Sequence, residues 1–461
     1  MGLKHDIQTP VGLLLSSQEP PLELEQILRV LPGKRVVVKA VVAKAVAKAH
    51  QQEAGENKTV LAKIFFQKKN YDHEISSYQA LKASAVKTPE LQAYRKLGTG
   101  GICYYEFLPG IVSLGDAWEG ASAAEKKQWT EDLLDLVKQL YEAGLAQEDC
   151  HPGNFVFCGQ QLFLLDPAGC VQTTEEEFFY RHLAELPSQF PLKDQGQMTE
   201  AIYRRFAVSD KMRFEASVRR AWELRKKNYL KKTFRANSAT VDLGGPGRLL
   251  LCHRQWATEE FLHLLQDPDG AIAGGEILKD GRNSTVAKVI CGGEAVVIKR
   301  YHNKNTREAL RKLFSKNRAR NNWYFAHLLS MVGIVTPEPL ALLKTSRGPL
   351  HYSWYYISRH VAADNAYNVF SQTPPTARQL QQLKDIFDGL QAAGIEHGDC
   401  KSTNWLVNAD NIWLVDLDAM TEIGCYSGRH PDRDRQRFLR DWQNHPAVLG
   451  QFRAALGVDA L

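Results

Sequence analysis

The sequence predicts an α+β fold made of the same domain twice, each copy a small β-rich N-lobe followed by a helical C-lobe. Three observations lead to it. An apolar strand with a central lysine occurs twice, as Val60-Leu-Ala-Lys63-Ile-Phe-Phe66 and as Val296-Val-Ile-Lys299-Arg-Tyr301. A polar loop of fixed spacing occurs twice and aligns without a gap, Gly144 to Asn154 on Gly394 to Asn404, so that Asp149 falls on Asp399. Each loop runs into a short apolar strand that ends in aspartate, Asp166 in one copy and Asp416 in the other. An ordered series repeated along one chain marks a duplicated architecture.

The lysine segments read as strands because β-branched and aromatic residues crowd into short runs. Thr88-Pro89-Glu90 follows in the first copy and Thr336-Pro337-Glu338 in the second, and strand-like runs then end at Tyr104-Tyr105 and Tyr355-Tyr356. The next element is an amphipathic helix. In the first copy Ser122-x-x-Glu125 forms a capping box, and Trp129, Leu133, Leu136 and Leu140 share a face. In the second, the helix follows Pro374-Pro375 and carries Leu380, Leu383, Phe387 and Leu390. Gly144 and Gly394 stop the two helices. Periodicity breaks between Asn237 and Gly247, where Asn, Ser, Gly and Pro cluster. The domains are therefore placed at 1–240 and 241–461, with the first thirty or so residues an extension.

At 461 residues, 44% hydrophobic and 24% charged, the chain has the profile of a globular protein with two cores rather than of a disordered or fibrous one. Met1 to Pro20 lacks the apolar core and cleavage site of a signal peptide, so the chain is expected to stay in the cytoplasm. Its most lipid-like stretch, Val36 to Ala49, is broken by Lys39, Lys44 and Lys48, and no membrane span is predicted. The eight cysteines form no CxxC pair and no zinc spacing, which predicts reduced, mostly buried thiols.

Moving a phosphoryl group asks a protein for positioning and for neutralisation of concentrated negative charge. A strand lysine grips the α- and β-phosphates, an aspartate takes the acceptor hydroxyl's proton, and an Asn and a second Asp hold magnesium. The second copy supplies all four: Lys299, then Asp399 and Asn404 in His397-Gly-Asp399-x-x-x-x-Asn404, then Asp416. Asp418 is placed to add a carboxylate, Lys401 to steady the transferring phosphate, and His397 to brace the loop. Gly281 and Ser284, in the polar turn between two strands that starts at Leu278, are candidates to cover the phosphates with backbone N–H groups. The first copy offers Lys63, Glu74, Asp149, Asn154 and Asp166 in the corresponding places.

These residues resemble the bacterial lipopolysaccharide core kinases, the heptose and Kdo kinases of the protein-kinase-like superfamily. In the second copy the likeness rests on Leu278-Lys-x-Gly-Arg-x-Ser-Thr-Val-Ala-Lys288, Val297-Ile-Lys-Arg-Tyr301, Arg318-Ala-x-x-x-Trp323, Gly333-Ile-x-Thr-Pro337, His397-Gly-Asp-x-Lys-x-x-Asn404 and Val415-Asp-Leu-Asp418. In the first it rests on Asp149-x-His-Pro-Gly-Asn154-Phe. The resemblance implies tandem kinase-like domains, ATP and Mg2+ as cosubstrates, and a heptose or Kdo hydroxyl of the lipopolysaccharide inner core or lipid A precursor as acceptor. It also implies work at the cytosolic face of the inner membrane of a Gram-negative bacterium.

The copies depart from the pattern differently. Glu74 is positioned to pair with Lys63, whereas the matching region of the second copy reads Asn321-Asn322, which leaves Lys299 without a helix glutamate. In the first copy Gln147 stands where the loop histidine belongs, and no glycine lies in the turn between Arg35 and His50. The second copy is the favoured catalyst. Only 45 residues follow Asp416, with no Ala-Pro-Glu element, which disfavours a protein acceptor. Charge is concentrated from Arg204 to Arg235, where twelve basic residues face three acidic ones, a local +9 against +6 for the whole chain. This segment reads either as a site for anionic lipid headgroups or phosphorylated sugar, or as a solvated helix face. Arg307, Arg311, Lys312, Lys316, Arg318 and Arg320 form a second basic run open to the same two readings. No nucleic-acid module accompanies either run, and nucleic acid is not an expected partner. Two further readings stay open: a non-catalytic kinase-like pair that binds nucleotide or scaffolds envelope assembly, and a glycosyltransferase using Asp416 and Asp418 as a metal pair.

Overall fold

The computed structural model describes residues 11, 14–15, 22–31, 33–42, 59–206, 208–302, 317–346, 352–423 and 432–458. Arg307, Arg311, Lys312, Lys316 and Cys425, and most of the turn between Arg35 and His50, lie outside them. Contacts divide the chain into two units, Met1–Phe190 with Asp194–Ala221, and Pro191–Lys193 with Trp222–Leu461. The division falls inside the helix Lys211–Thr233, before the break in periodicity at Asn237. That helix buries one residue per turn, and the stripe changes core midway. Phe214 and Val218 belong to the first unit's core, Trp222 and Leu230 to the second's.

In the first unit, the strands Leu22–Leu31, Arg35–Val42, Thr59–Phe65, Gly100–Glu106 and Leu91–Leu97 form an antiparallel sheet in that spatial order. Successive strand side chains point to opposite faces. Val60, Ala62 and Ile64 therefore enter one apolar layer, while Phe65 joins Tyr71, Tyr78, Cys103 and Tyr105 on the other side. Lys63 shares that second face and points toward the helix Lys68–Lys82. The helical lobe centres on Ala123–Glu142, whose Ser122–Glu125 capping box forms as the sequence predicts.

In the second unit the corresponding five strands are Glu276–Asp280, Ser284–Cys291, Glu294–Tyr301, Tyr352–Arg359 and Pro339–Ser346. Two more, Leu249–His253 and Thr240–Asp242, extend the sheet to seven. Period-2 alternation again separates apolar from functional faces. Val296 and Ile298 pack under the short helices Glu259–Gln266 and Pro268–Ala273, and Val297, Lys299 and Tyr301 face away. The helix Ala377–Ala392 starts at a Thr376–Gln379 capping box and buries Leu383, Phe387 and Leu390. Gly144 and Gly394 end the two long helices at φ 69° and 63°, the left-handed geometry that favours glycine at a helix stop.

The repeat extends to individual backbone hydrogen bonds. Leu165 N–H donates to Asn154 O in one copy and Val415 N–H to Asn404 O in the other, at 2.8 and 2.9 Å. Leu164 N–H donates to Lys87 O and Leu414 N–H to Val335 O, which places the two Thr-Pro-Glu segments alike. One proposed equivalence is corrected. Lys63 lies opposite Cys103 but Lys299 lies opposite Tyr356, so the tyrosine pairs stand two residues out of register. A two-residue slip keeps every side chain on its face, which is why the pattern hid it.

Candidate active site

The loop after Ile395 is shaped by a buried histidine and a buried aspartate. His397 is fully buried, its Nε2 lies 3.0 Å from Val415 O, and burial keeps its pKa below the ordinary value despite nearby carboxylates. Asp434, from the helix Arg433–Arg440, accepts the backbone N–H groups of His397 (2.6 Å) and Gly398 (3.1 Å). Gly398 has φ 79°, and a Cβ there would stand 3.0 Å from Ala419 O. Asp441 accepts from both the backbone and hydroxyl of Ser402, at 2.8 and 2.9 Å. Asp434 and Asp441 are positioning residues that the repeat comparison missed. The signal available for them is the pair Asp434 and Asp441, seven residues apart on the arginine-rich segment after Pro431.

This scaffold presents Asp399 and Asn404 together. Asn404 is buried and its amide nitrogen donates to Asp399 O at 2.8 Å, with Asp399 Oδ2 at 3.3 Å. The amide oxygen is thereby turned away from the loop backbone. Lys401 Nζ lies 3.0 Å from Asp399 Oδ2.

Lys299 comes from the strand above and is ion-paired to Asp416, with Asp418 Oδ2 at 3.3 Å. Burial pushes the Asp416 carboxyl upward, but the Lys299 charge and hydrogen bond outweigh it and hold the pKa at about 2. Burial raises that of Asp418, which Lys299 and Arg318 only partly oppose. Asp416 has φ 62° and ψ 51°, and it is the one non-glycine with positive φ among the described residues. Such backbone strain is held in place by surrounding structure and concentrates at functional sites. Here Asn322, on the helix Arg318–Met331, accepts the N–H of Leu417 at 3.1 Å and donates to the Tyr301 hydroxyl. Asn321 donates to Asp418 O and Met420 O, both at 3.0 Å.

Lys299, Asn404 and Asp416 line one cavity of about 430 Å³, with Val286, Val297 and Tyr356 from the sheet and Leu406 from the loop strand. Leu278 and Lys279, on the strand Glu276–Asp280, reach the cavity, whereas Gly281 and Ser284 of the turn expected to cover phosphates are not among its lining residues. Ser284 is buried with its carbonyl accepting the Gly281 N–H at 3.1 Å, so these two close the turn on itself. Lys279 also acts on Asp416 through its charge.

The first unit brings its candidates together differently. Lys63 and Glu74 are both buried and joined at 2.6 Å, and the Tyr105 hydroxyl donates to the same Glu74 oxygen at 2.7 Å. Asn154 donates to Asp149 O at 2.9 Å, repeating the loop geometry. Asp166 is clasped by Arg35, whose two terminal nitrogens meet its two oxygens at 2.9 and 3.4 Å, while Lys63 lies at 3.5 Å. Burial raises the Asp166 pKa, and Lys63 and Arg35 together bring it down to about 2. Its φ is −114°, without the strain of Asp416.

A two-lobed α+β unit whose strand ammonium, loop amide and strained aspartate line one cavity, with the loop aspartate tied to that amide, has the architecture of a phosphotransferase with an alcohol acceptor. Residues 275–448, within the second unit, match the family profile described as the lipopolysaccharide kinase (Kdo/WaaP) family. The matched segment contains Lys299, Asp399, Asn404 and Asp416. A solved structure titled "WaaP in complex with acyl carrier protein" aligns at 20% identity and TM-score 0.29, over 44% of this chain and 98% of that one. No curated protein matches the chain.

Proposed function

We propose that the second unit transfers the γ-phosphoryl group of ATP to a heptose or Kdo hydroxyl of the lipopolysaccharide inner core. The observation that carries this is the meeting of Lys299, Asn404 and Asp416 on one cavity, with Asp399 tied to Asn404 beside it. Asn404 and Asp416 offer an amide oxygen and a carboxylate that suit Mg2+, a hard ion that takes one or two protein ligands and completes its shell with phosphates and water. When bound, the ion neutralises phosphate charge. Lys299 would reach from Asp416 toward the α- and β-phosphates, and Lys279 would cover them from the strand Glu276–Asp280. Asp399 accepts the proton of the sugar hydroxyl as that oxygen bonds to the γ-phosphorus, and the bond from γ-phosphorus to the bridging oxygen breaks to leave ADP. Lys401, beside Asp399, meets the charge on the transferring group.

The first unit is read as kinase-like and without turnover. A magnesium ion at Asp166 would have to displace a two-pronged guanidinium and sit beside a second cation, Lys63. The basic helix is read as facing an anionic membrane surface, because Arg219, Arg220, Lys227, Lys231 and Lys232 are exposed along it. No helix among the described residues is long and apolar enough to cross a membrane. The test is to incubate the purified chain with ATP, Mg2+ and dephosphorylated lipopolysaccharide core and to read the core by mass spectrometry. Gain of phosphate that Asp399→Asn abolishes supports the proposal, and an unchanged core with ATP bound contradicts the acceptor.

A further inference from the structure

The strand lysine of the first unit is held by a helix carboxylate, Glu74, whose side chain is fully buried. The helix Arg318–Met331 of the second unit contains no acidic residue at all. Its asparagines are engaged with the loop Asp416-Leu417-Asp418 instead, Asn321 through the Asp418 carbonyl and Asn322 through the Leu417 N–H. That loop carries a carboxylate the first copy lacks: Asp418 stands where the first copy has Ala168. The acid has changed element between the copies.

Asp416 and Asp418 are not equivalent. The Asp416 side chain is 23% exposed and lines the cavity, whereas that of Asp418 is 6% exposed and does not. Its Oδ2 is bracketed by Lys299 at 3.3 Å and Arg318 Nε at 3.2 Å. We propose that Asp418 is the positioning residue for Lys299, replacing the helix glutamate and keeping the ammonium aimed into the cavity when Asp416 turns to its own ligand. This rests on the reading of the second unit as the phosphotransferase. It makes Asp418 an anchor for a cation of the chain and not a metal ligand.

The full-length chain tests this without turnover. Acetylation of lysines by acetic anhydride in metal-free buffer, read by mass spectrometry, gives the ratio of modification at Lys299 to that at Lys63, an internal reference in the other unit. Asp418→Asn is expected to raise that ratio threefold or more, because the ammonium loses a partner. In steady-state assays the same variant should lose tenfold or more in kcat/KM for ATP, while half-saturating Mg2+ stays within twofold of wild type. Adding it to Lys299→Met should cost nothing further, since residues that act as a unit are non-additive. Asp418→Glu keeps the charge and should restore the acetylation ratio, and it carries the test if the Asn variant does not fold. An unchanged ratio with a tenfold rise in half-saturating Mg2+ would make Asp418 a metal ligand and overturn the proposal, as would additive losses. A wild-type chain that neither binds ATP nor transfers phosphate removes the functional reading itself, an outcome separate from any behaviour of the variants.

Discussion

Asp416 and Asp166 occupy the same place in the repeat, and their surroundings give them opposite fates. Asp416 sits strained at positive φ and faces a cavity, while Asp166 is relaxed and both its oxygens meet Arg35. Asp416→Asn is expected to lower kcat by roughly a thousandfold, the scale of losing a group that acts on transition-state charge. Asp166→Asn should leave kcat within threefold and lower unfolding free energy by about 3 kcal/mol, because Arg35 and Lys63 keep their charges in a partly buried site. Kinetics and urea unfolding on the same two proteins check the pair. His327 gives a pH prediction. Burial, with repulsion from His253, lowers its pKa to about 4, so the folded chain holds it neutral while the unfolded chain protonates it below about 6.5. Its contribution is complete above that value and is lost as pH falls toward 4, amounting to about 3 kcal/mol. His327→Gln should flatten stability against pH between 4 and 6.5, measured by urea unfolding at stepped pH. The sequence pointed to Lys299 through its apolar strand, to Asp399 and Asn404 through the loop spacing, and to Asp416 through the strand it ends. The Arg35 clasp was not, because it joins residues 131 positions apart that no motif links.

The helices, their capping boxes and their glycine stops were readable because each is set by near neighbours in the chain. What joins elements was less so. Glycine and serine suggested a turn at Gly281 and Ser284 that covers phosphates with backbone N–H groups; the side chains that reach the cavity are the adjacent Leu278 and Lys279, at a register shift in the strand that no sequence pattern announces. The support from Asp434 crosses from the helix Arg433–Arg440 to the backbone of His397 and Gly398, a contact that periodicity cannot reveal. Asp434→Ala would leave the N–H groups of His397 and Gly398 without their acceptor, at a cost of about 2–4 kcal/mol. It should also lower kcat more than it raises KM for ATP, because Asp399 rides on that backbone and the cavity walls do not. Thermal unfolding together with steady-state kinetics would show both effects, and a loss confined to KM would place Asp434 outside the loop's support.

Across the whole chain, one ordered pattern occurs twice and its chemistry is divided. The first unit pairs its strand lysine with a helix glutamate and its strand-end aspartate with arginine, and the second pairs its strand lysine with Asp416 and Asp418. The family profile follows that division, since it matches only within the second unit. Charge is also a property at this scale. If the exposed cations along Lys211–Thr233 meet an anionic surface, vesicles rich in phosphatidylglycerol should bind the chain and release it as salt is raised, while neutral vesicles should not. The most direct test of the central claim compares two substitutions at equivalent loop positions, Asp399→Asn and Asp149→Asn, by the phosphate each full-length protein transfers from ATP to dephosphorylated lipopolysaccharide core. The expected result is transfer abolished by the first and retained within threefold by the second. Transfer that survives Asp399→Asn and fails with Asp149→Asn would contradict the account.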